Sequence, residues 1–336
     1  MAYTRGVTSL IVAPAWVGDM VMAHSLIQGL FNRPFDTTID ILAPPSTSPL
    51  AGRMAEIRDT YTLDVGHGRL GLGERLQMAK RLSIPKYDEA FVLPNSWKSA
   101  LIPFFARIEK RVGWIGEMRF GLLNDARSLD KKALPLMVQR FAALSLKKEE
   151  PFVGRSSNPV LEFDVENRSR LREKHGLAEI GAVALAPGAE FGPAKKWPID
   201  YFVEVAKYCL SQGRQVWLLG SAKDRSDCGW IASKAKGVID LSGTTSLTDV
   251  VDLISLAEIL VCNDSGLMHV SAALETKTVA MFGSTTDKFT PPLSSNSQTL
   301  SRTLDCRPCF KRVCPLGHLD CLKKITPKEV ITVLDI

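Results

Sequence analysis

The feature of this sequence that most constrains its fold is a short apolar segment followed at once by small polar residues and then by a helical pattern. Residues 258–262 predict a buried strand, and residues 267–274 predict a helix. The first N–H groups of a helix and the positive end of its dipole attract anions, and Gly266 offers no side chain to obstruct a close approach. The junction predicts an anion-binding site, with ordinary capping of the helix by Asp264 or Ser265 as the alternative.

The same kind of junction occurs twice more. Residues 10–13 are apolar and lead through a loop with Pro14 and Gly18 into a helical pattern, with Asp19 at the boundary. Residues 182–186 are again apolar and are followed by Pro and Gly. The pattern therefore restarts halfway along the chain. Because 336 residues with 45% hydrophobic content exceed what one core usually holds, the sequence predicts two α/β domains.

Predicted strands alternate with predicted helices, which is typical of parallel sheets. The strands are predicted at 7–13, 38–43, 89–93, 182–186, 215–219, 259–262 and 278–282. The helices are predicted at 21–32, 71–82, 98–107, 200–212, 248–257 and 267–274. A polar segment at about 150–170 is the predicted linker. We therefore expect two Rossmann-like, doubly wound domains, facing each other across a cleft that collects the loops after their strands.

The charge of the chain is +6, and its excess lies in residues 1–150, which hold 20 Lys and Arg against 15 Asp and Glu. This excess could attract an anionic membrane surface or ligand, and a solvated basic face is the alternative. Because no dense Lys and Arg block contains interleaved aromatic residues, no nucleic-acid partner is expected. No signal peptide or apolar run of about 18 residues was found, so we expect a cytoplasmic protein.

Five segments, taken together and in this order, resemble one enzyme family. They are residues 15–19, 93–100, 113–119, 187–198 and 263–269. The chain resembles the ADP-heptose:lipopolysaccharide heptosyltransferases of glycosyltransferase family 9, above all those that add the second heptose. The resemblance implies a GT-B fold, with an acceptor-binding domain at 1–160 and an ADP-heptose-binding domain at 161–336.

The activity implied by the resemblance is an inverting transfer of L-glycero-D-manno-heptose from ADP-heptose to the first heptose of the lipopolysaccharide inner core. The enzyme would work at the cytoplasmic face of the inner membrane. A sister enzyme that adds the first heptose, and a non-catalytic module that binds nucleotide sugars, are the alternatives.

The resemblance also implies roles for individual residues. Asp19 matches the catalytic aspartate, which takes the proton of the acceptor hydroxyl, although capping of the following helix would place an aspartate there as well. Lys195 matches the lysine near the diphosphate, with the adjacent Lys196 as its rival. The expected donor-binding residues are Asp240, which would hold the ribose, and Asp264, Ser265, Gly266 and His269. The expected acceptor-binding residues are Asn95, Ser96, Lys98 and Arg119.

The run from Gly66 to Gly71 fits the G-x-G-x-x-G pattern of dinucleotide-binding proteins. In that motif an acidic residue ends the next strand, whereas Asp88 and Glu89 precede the apolar residues 90–93 of the strand predicted here. A glycine-rich loop is therefore favoured, and an NAD-dependent oxidoreductase remains a third alternative.

Four cysteines near the carboxyl terminus have the spacing C-x2-C-x4-C-x6-C, and His318 lies among them. They are Cys306, Cys309, Cys314 and Cys321. Four thiolates at this spacing could hold a structural zinc ion, and an iron–sulfur cluster, free thiols or a disulfide are the alternatives. Because some heptosyltransferases lack these cysteines, the resemblance implies that the reaction requires no metal or other cofactor.

Overall fold

The computed structural model of the chain describes residues 6–66, 68–154 and 156–336. It divides into two compact units, the first ending at Val160 and the second running over Leu161–Ile336. Each unit builds its own parallel sheet and buries its own core.

The first unit contains, within its described residues, a six-stranded sheet. The strands are β1 (Val7–Val12), β2 (Thr37–Ala43), β3 (Ile57–Thr62), β4 (Glu89–Val92), β5 (Lys110–Trp114) and β6 (Asp125–Arg127). Their spatial order is β3-β2-β1-β4-β5-β6, and every adjacent pair is parallel. The direction of winding therefore reverses between β1 and β4, and open parallel sheets bind ligands beyond the strand ends at such a reversal.

The helices of the first unit pack on this sheet. They are α1 (Val17–Phe31), α2 (Ser48–Ala51), α3 (Leu72–Leu82), α4 (Leu101–Phe105) and α5 (Met137–Ala142). In α1 the apolar residues Met20, Leu26 and Ile27 are fully buried. Burial of such side chains stabilises the fold by roughly 1.5–3 kcal/mol each.

The second unit repeats the same topology. Its strands are β7 (Val183–Ala186), β8 (Val216–Leu218), β9 (Ile239–Asp240), β10 (Ile259–Asn263), β11 (Lys277–Met281) and β12 (Ser297–Leu300). The order β12-β11-β10-β7-β8-β9 again reverses between the first strand of the unit, β7, and the fourth, β10. All residues of β7 and β10 are buried, as expected for central parallel strands covered on both faces.

The helices of the second unit are α6 (Val165–His175), α7 (Ile199–Ser211), α8 (Arg225–Lys234), α9 (Leu247–Leu256), α10 (Gly266–Ala273), α11 (Asp320–Lys323) and α12 (Pro327–Leu334). The apolar side chains of α7 and α12 pack with those of β7 and β10 in one core. The prediction of two Rossmann-like α/β domains is thus confirmed.

The differences from the predicted elements have physical causes. Among the strands that the structure describes, five were missed: the interior strand β5 and the edge strands β3, β6, β9 and β12. Strand β5 begins with two charged residues, β6 and β9 are very short, and β3 and β12 are polar and largely unburied. The predicted linker is wrong beyond residue 164, where the polar helix α6 begins. Its N-cap Asp164 accepts hydrogen bonds from the backbone N–H groups of Glu166 (2.9 Å) and Asn167 (3.0 Å).

Two other sequence features are placed by the structure. Helix α1 begins at Val17, four residues before its predicted start, because Gly18 and Asp19 belong to its first turn. In the glycine-rich segment, His67 lies outside the described residues, and Gly71 is the left-handed N-cap of α3 with φ +56°. Within the described ranges, we find no helix long and apolar enough to cross a membrane.

Candidate active site

The second unit places Lys195 and Asp264 after its two central strands. Lys195 ends a 3-10 turn (Pro193–Lys195) in the loop after β7, and Asp264 directly follows β10. Because the winding of the sheet reverses between these strands, the two loops lie where this fold class binds ligands.

Asn263, the last residue of β10, holds the two loops together. Its fully buried side chain accepts a hydrogen bond from Trp197 N at 2.9 Å and donates one to the carbonyl of Pro187 at 2.7 Å. Asn263 belongs to segment 263–269, one of the five segments that carry the family resemblance, but no role was predicted for it. An amide at the end of a wholly apolar strand was the available signal, because a buried polar group requires partners.

The ammonium of Lys195 lies 2.6 Å from the carboxylate of Asp264, and the two side chains are 14% and 3% exposed. Thr285 donates a second hydrogen bond to that carboxylate. Asp264 therefore anchors Lys195, which excludes the alternative that it merely caps helix α10. The rival Lys196 is held instead by Asp227, at 2.8 Å.

Helix α10 begins at Gly266, with Ser265 as its N-cap residue. In the described part of the chain, the buried hydroxyl of Ser265 has no hydrogen-bond partner and caps nothing. Such a group costs free energy unless a ligand satisfies it. An unpaired hydroxyl, a helix N-terminus and the loop of Lys195 together favour an anionic ligand.

His269 lies one turn further along α10 and is buried. Burial lowers the pKa of its imidazole to about 4, an effect that nearby Lys195 increases and Asp264 opposes. His269 is therefore neutral at physiological pH and can act as a hydrogen-bonding group, not as a cation.

Asp240 ends the edge strand β9, two strands away from β7. Its side chain is exposed and one of its oxygens accepts a hydrogen bond from Ser242 N at 2.9 Å. The structure thus places Asp240 apart from Lys195 and Asp264, at the carboxyl edge of the same sheet.

In the first unit, all of the predicted catalytic and acceptor-binding residues except Arg119 follow the two central strands β1 and β4. Asp19 lies partly buried in the first turn of α1, and the N-cap of that helix is Trp16. Asp19 is therefore not the N-cap residue of α1. Asn95, Ser96 and Lys98 follow β4 in the loop that leads to α4.

Arg119 differs from the other predicted acceptor-binding residues because it is only 3% exposed. Its terminal nitrogens donate hydrogen bonds to the carbonyls of Pro94 (2.6 Å) and Trp114 and to the amide oxygen of Asn95 (3.2 Å). Burial also lowers the pKa of its guanidinium. Any role of Arg119 toward an acceptor therefore acts through the position of Asn95.

The four cysteines of the carboxyl-terminal segment lie together at one small cavity in the second unit. Backbone N–H groups of residues 316–319 lower the pKa of the Cys314 thiol, whereas burial raises that of Cys321.

Two Rossmann-like domains, with basic and acidic side chains at the sheet reversals, are the architecture of a nucleotide-sugar glycosyltransferase of the GT-B class. The model of glycosyltransferase family 9 (heptosyltransferase) matches residues 75–320, and the chain belongs to this family.

Three comparisons place the chain within the family. It is 41% identical to lipopolysaccharide heptosyltransferase 2 of Salmonella typhimurium over 96% of each chain. The structure of E. coli ADP-heptose lps heptosyltransferase II superposes with a TM-score of 0.89, at 38% identity and over 98% of each chain. Lipopolysaccharide heptosyltransferase 1 of Pseudomonas aeruginosa matches 42% of this chain and 44% of its own length, at 28% identity. The chain is thus a glycosyltransferase whose likeness to the second heptosyltransferases is far more extensive than its likeness to that first heptosyltransferase.

Proposed function

We propose that this glycosyltransferase moves L-glycero-D-manno-heptose from ADP-heptose to the first heptose of inner-core lipopolysaccharide. The full-length likeness to heptosyltransferases 2 supports this acceptor, and the partial match to a heptosyltransferase 1 supports the sister reaction less well. The observation that carries the proposal is the buried Lys195–Asp264 pair beside the N-terminus of α10.

The second unit binds the donor in this proposal. The diphosphate accepts hydrogen bonds from the Ser265 hydroxyl and from the first N–H groups of α10, and Lys195 supplies the positive charge. His269 contributes a neutral hydrogen-bonding group on the same helix. The carboxylate of Asp240 accepts hydrogen bonds from the ribose hydroxyls.

The first unit supplies the base and the acceptor site. As the acceptor hydroxyl oxygen forms a bond to the anomeric carbon, Asp19 takes its proton and the bond from that carbon to the diphosphate breaks. The electron pair of the broken bond leaves with ADP, whose charge Lys195 and α10 stabilise. Attack from the face opposite the leaving group inverts the anomeric carbon. These groups supply the base and the charge stabilisation, so the proposed reaction requires no metal or other cofactor. Asn95, Ser96 and Lys98 bind the hydroxyl and phosphate groups of the acceptor.

The lipid acceptor also implies peripheral contact with the anionic inner membrane at its cytoplasmic face. The apolar side chains of Met118 and Phe120 are 86% and 78% exposed. Arg111 stacks over the half-exposed ring of Phe104 and donates a hydrogen bond to the carbonyl of Leu122 at 2.7 Å. This arrangement connects α4 to the segment bearing Met118 and Phe120. Exposed apolar side chains with adjacent basic groups suit an anionic lipid surface.

Complementation tests the proposed function in cells. The chain would be expressed in an E. coli strain without its own heptosyltransferase II, whose core ends at the first heptose. We expect the mass of the core to increase by one heptose residue, and an Asp19→Asn variant made at equal abundance should leave it unchanged. Equal abundance of folded protein with no added heptose would contradict the proposal.

Replacing Ser265 with alanine should raise the KM for ADP-heptose by about tenfold, because one hydrogen bond to a charged ligand is lost. The unliganded variant should be as stable as the original or more stable, because a buried hydroxyl without a partner has been removed. Steady-state kinetics and thermal unfolding measure the two effects. An unchanged KM would contradict the placement of the diphosphate.

Replacing Met118 and Phe120 together with serine should reduce binding to vesicles that contain phosphatidylglycerol, because apolar area and insertion are lost. Co-sedimentation with the vesicles measures the effect. Ile180→Ser is the matched control, since Ile180 is an 84% exposed apolar residue of the second unit. Equal vesicle binding by the double variant and the control would contradict the membrane contact.

A further inference from the structure

The carboxyl-terminal cysteines surround a space that suits one ion. Cys306, Cys309 and Cys314 belong to a segment at residues 301–319, named here the cysteine loop, and Cys321 lies in the following helix α11. All four line one cavity of about 20 Å³. A space of this size holds one water molecule or one ion.

The polar groups around the cavity are arranged for negatively charged sulfur. Arg307 donates hydrogen bonds to the carbonyls of Gly283 (2.7 Å) and Arg302 (3.0 Å). Its remaining terminal nitrogen is buried and has no partner among the described residues, and Arg307 lines the same cavity as the four cysteines. A neutral thiol is a weak hydrogen-bond acceptor, so this donor is satisfied far better by a thiolate.

Cysteine ligates zinc as the thiolate. Among the residues that the structure describes, no three His, Cys, Asp or Glu side chains already stand in a metal-ligating arrangement. Binding therefore requires the thiols to move from the positions that they have in this structure.

We propose that Cys306, Cys309, Cys314 and Cys321 bind one Zn²⁺ ion as four thiolates. Tetrahedral coordination by four cysteines is a common structural zinc site. The site would carry a charge of −2, which the guanidinium of Arg307 partly offsets. Binding releases the protons of the thiols to solvent and involves no electron transfer.

The zinc ion would support the donor site without taking part in the chemistry. The cysteine loop pairs with the loop of Lys195 through a hydrogen bond from Ala194 N to the carbonyl of Arg312, at 3.0 Å. Phe310 N likewise donates to the carbonyl of Ser284 at 2.8 Å. The guanidinium of Arg312 and the ammonium of Lys195 both contact the ring of Phe191. Loss of the ion should therefore loosen the segment that positions Lys195.

Elemental analysis of the full chain, purified with a non-metal reductant and without chelator, tests this inference. We expect about one zinc ion per chain, bonded to four sulfur atoms at about 2.3 Å in X-ray absorption spectra. The variants Cys309→Ser and Cys314→Ser should contain about tenfold less zinc and unfold at a lower temperature. Cys209→Ala is the control and should keep its zinc, because Cys209 is buried and is not among the residues that line the cavity.

A second measurement keeps the inference testable if the serine variants do not fold. Zinc added to the reduced, metal-free original chain should protect four thiols from a thiol reagent in the folded protein. Less than a tenth of an equivalent of zinc, with no protection by added zinc, would overturn the inference, as would iron in its place or disulfides among these cysteines. The readouts are independent of turnover, so they stand even if the proposed heptose transfer fails.

Discussion

Replacing Asp19 with asparagine should lower kcat by about a hundredfold or more, while the affinity for ADP-heptose changes little. An amide cannot take the proton of the acceptor hydroxyl, and Asp19 belongs to the first unit, whereas the proposed donor groups belong to the second. The substitution preserves size and removes a carboxylate from the first turn of α1. Its interaction with the helix dipole is typically worth only about 0.3–1 kcal/mol.

Single-turnover kinetics with saturating donor and acceptor measure this effect, and calorimetry measures donor binding. The control is thermal unfolding, which should show only a small loss of stability. If the asparagine variant kept near-full kcat, Asp19 would not be the base. A large loss of donor affinity would instead indicate that Asp19 acts on the nucleotide sugar.

Replacing Lys195 with methionine should lower kcat by about a hundredfold, because the charge that stabilises departing ADP is lost. The same change leaves the buried carboxylate of Asp264 without its ion pair, which costs about 3 kcal/mol of folding stability. A double variant that also carries Asp264→Asn should regain much of the stability and remain inactive. The pair of variants thus separates the electrostatic role from folding.

Lys196→Met is the matched control for Lys195. The ammonium of Lys196 pairs with Asp227 and is one-third exposed, so its loss should leave kcat near the original value and cost little stability. Kinetics and thermal unfolding of Lys195→Met, Lys196→Met and the double variant decide whether Lys195 is the residue that stabilises departing ADP. Equal losses of activity at Lys195 and Lys196, or recovery of activity in the double variant, would contradict it.

Local pattern was sufficient to predict the central strands and the helices that follow them. β10 and α10 were predicted to within one residue at each end, because a fully buried strand and a helix differ sharply from the polar turn between them. The sheet edges could not be found in this way. An edge strand such as β12 has a solvent-facing side, so its sequence lacks the continuous apolar signal of β7.

The positions of site residues along the chain were predictable, but their partners were not. The junction after β10 predicted an anion site, yet a capping role for Asp264 and a salt bridge to Lys195 are equally consistent with one local sequence. The pairing joins residues 69 positions apart and is decided by the fold. In the same way, Arg119 has the charge expected for an acceptor contact. Only the structure shows that its side chain is buried and donates hydrogen bonds to backbone carbonyls.

The most direct test of the proposed transfer is the mass of the lipid formed from ADP-heptose by the purified chain, with two separate acceptors. We predict addition of one heptose to monoheptosylated Kdo2-lipid A, with release of one ADP, and no addition to Kdo2-lipid A itself. Addition only to Kdo2-lipid A would contradict the proposed acceptor and assign the sister reaction. Tight binding of ADP-heptose with no product from either lipid would contradict the proposed transfer.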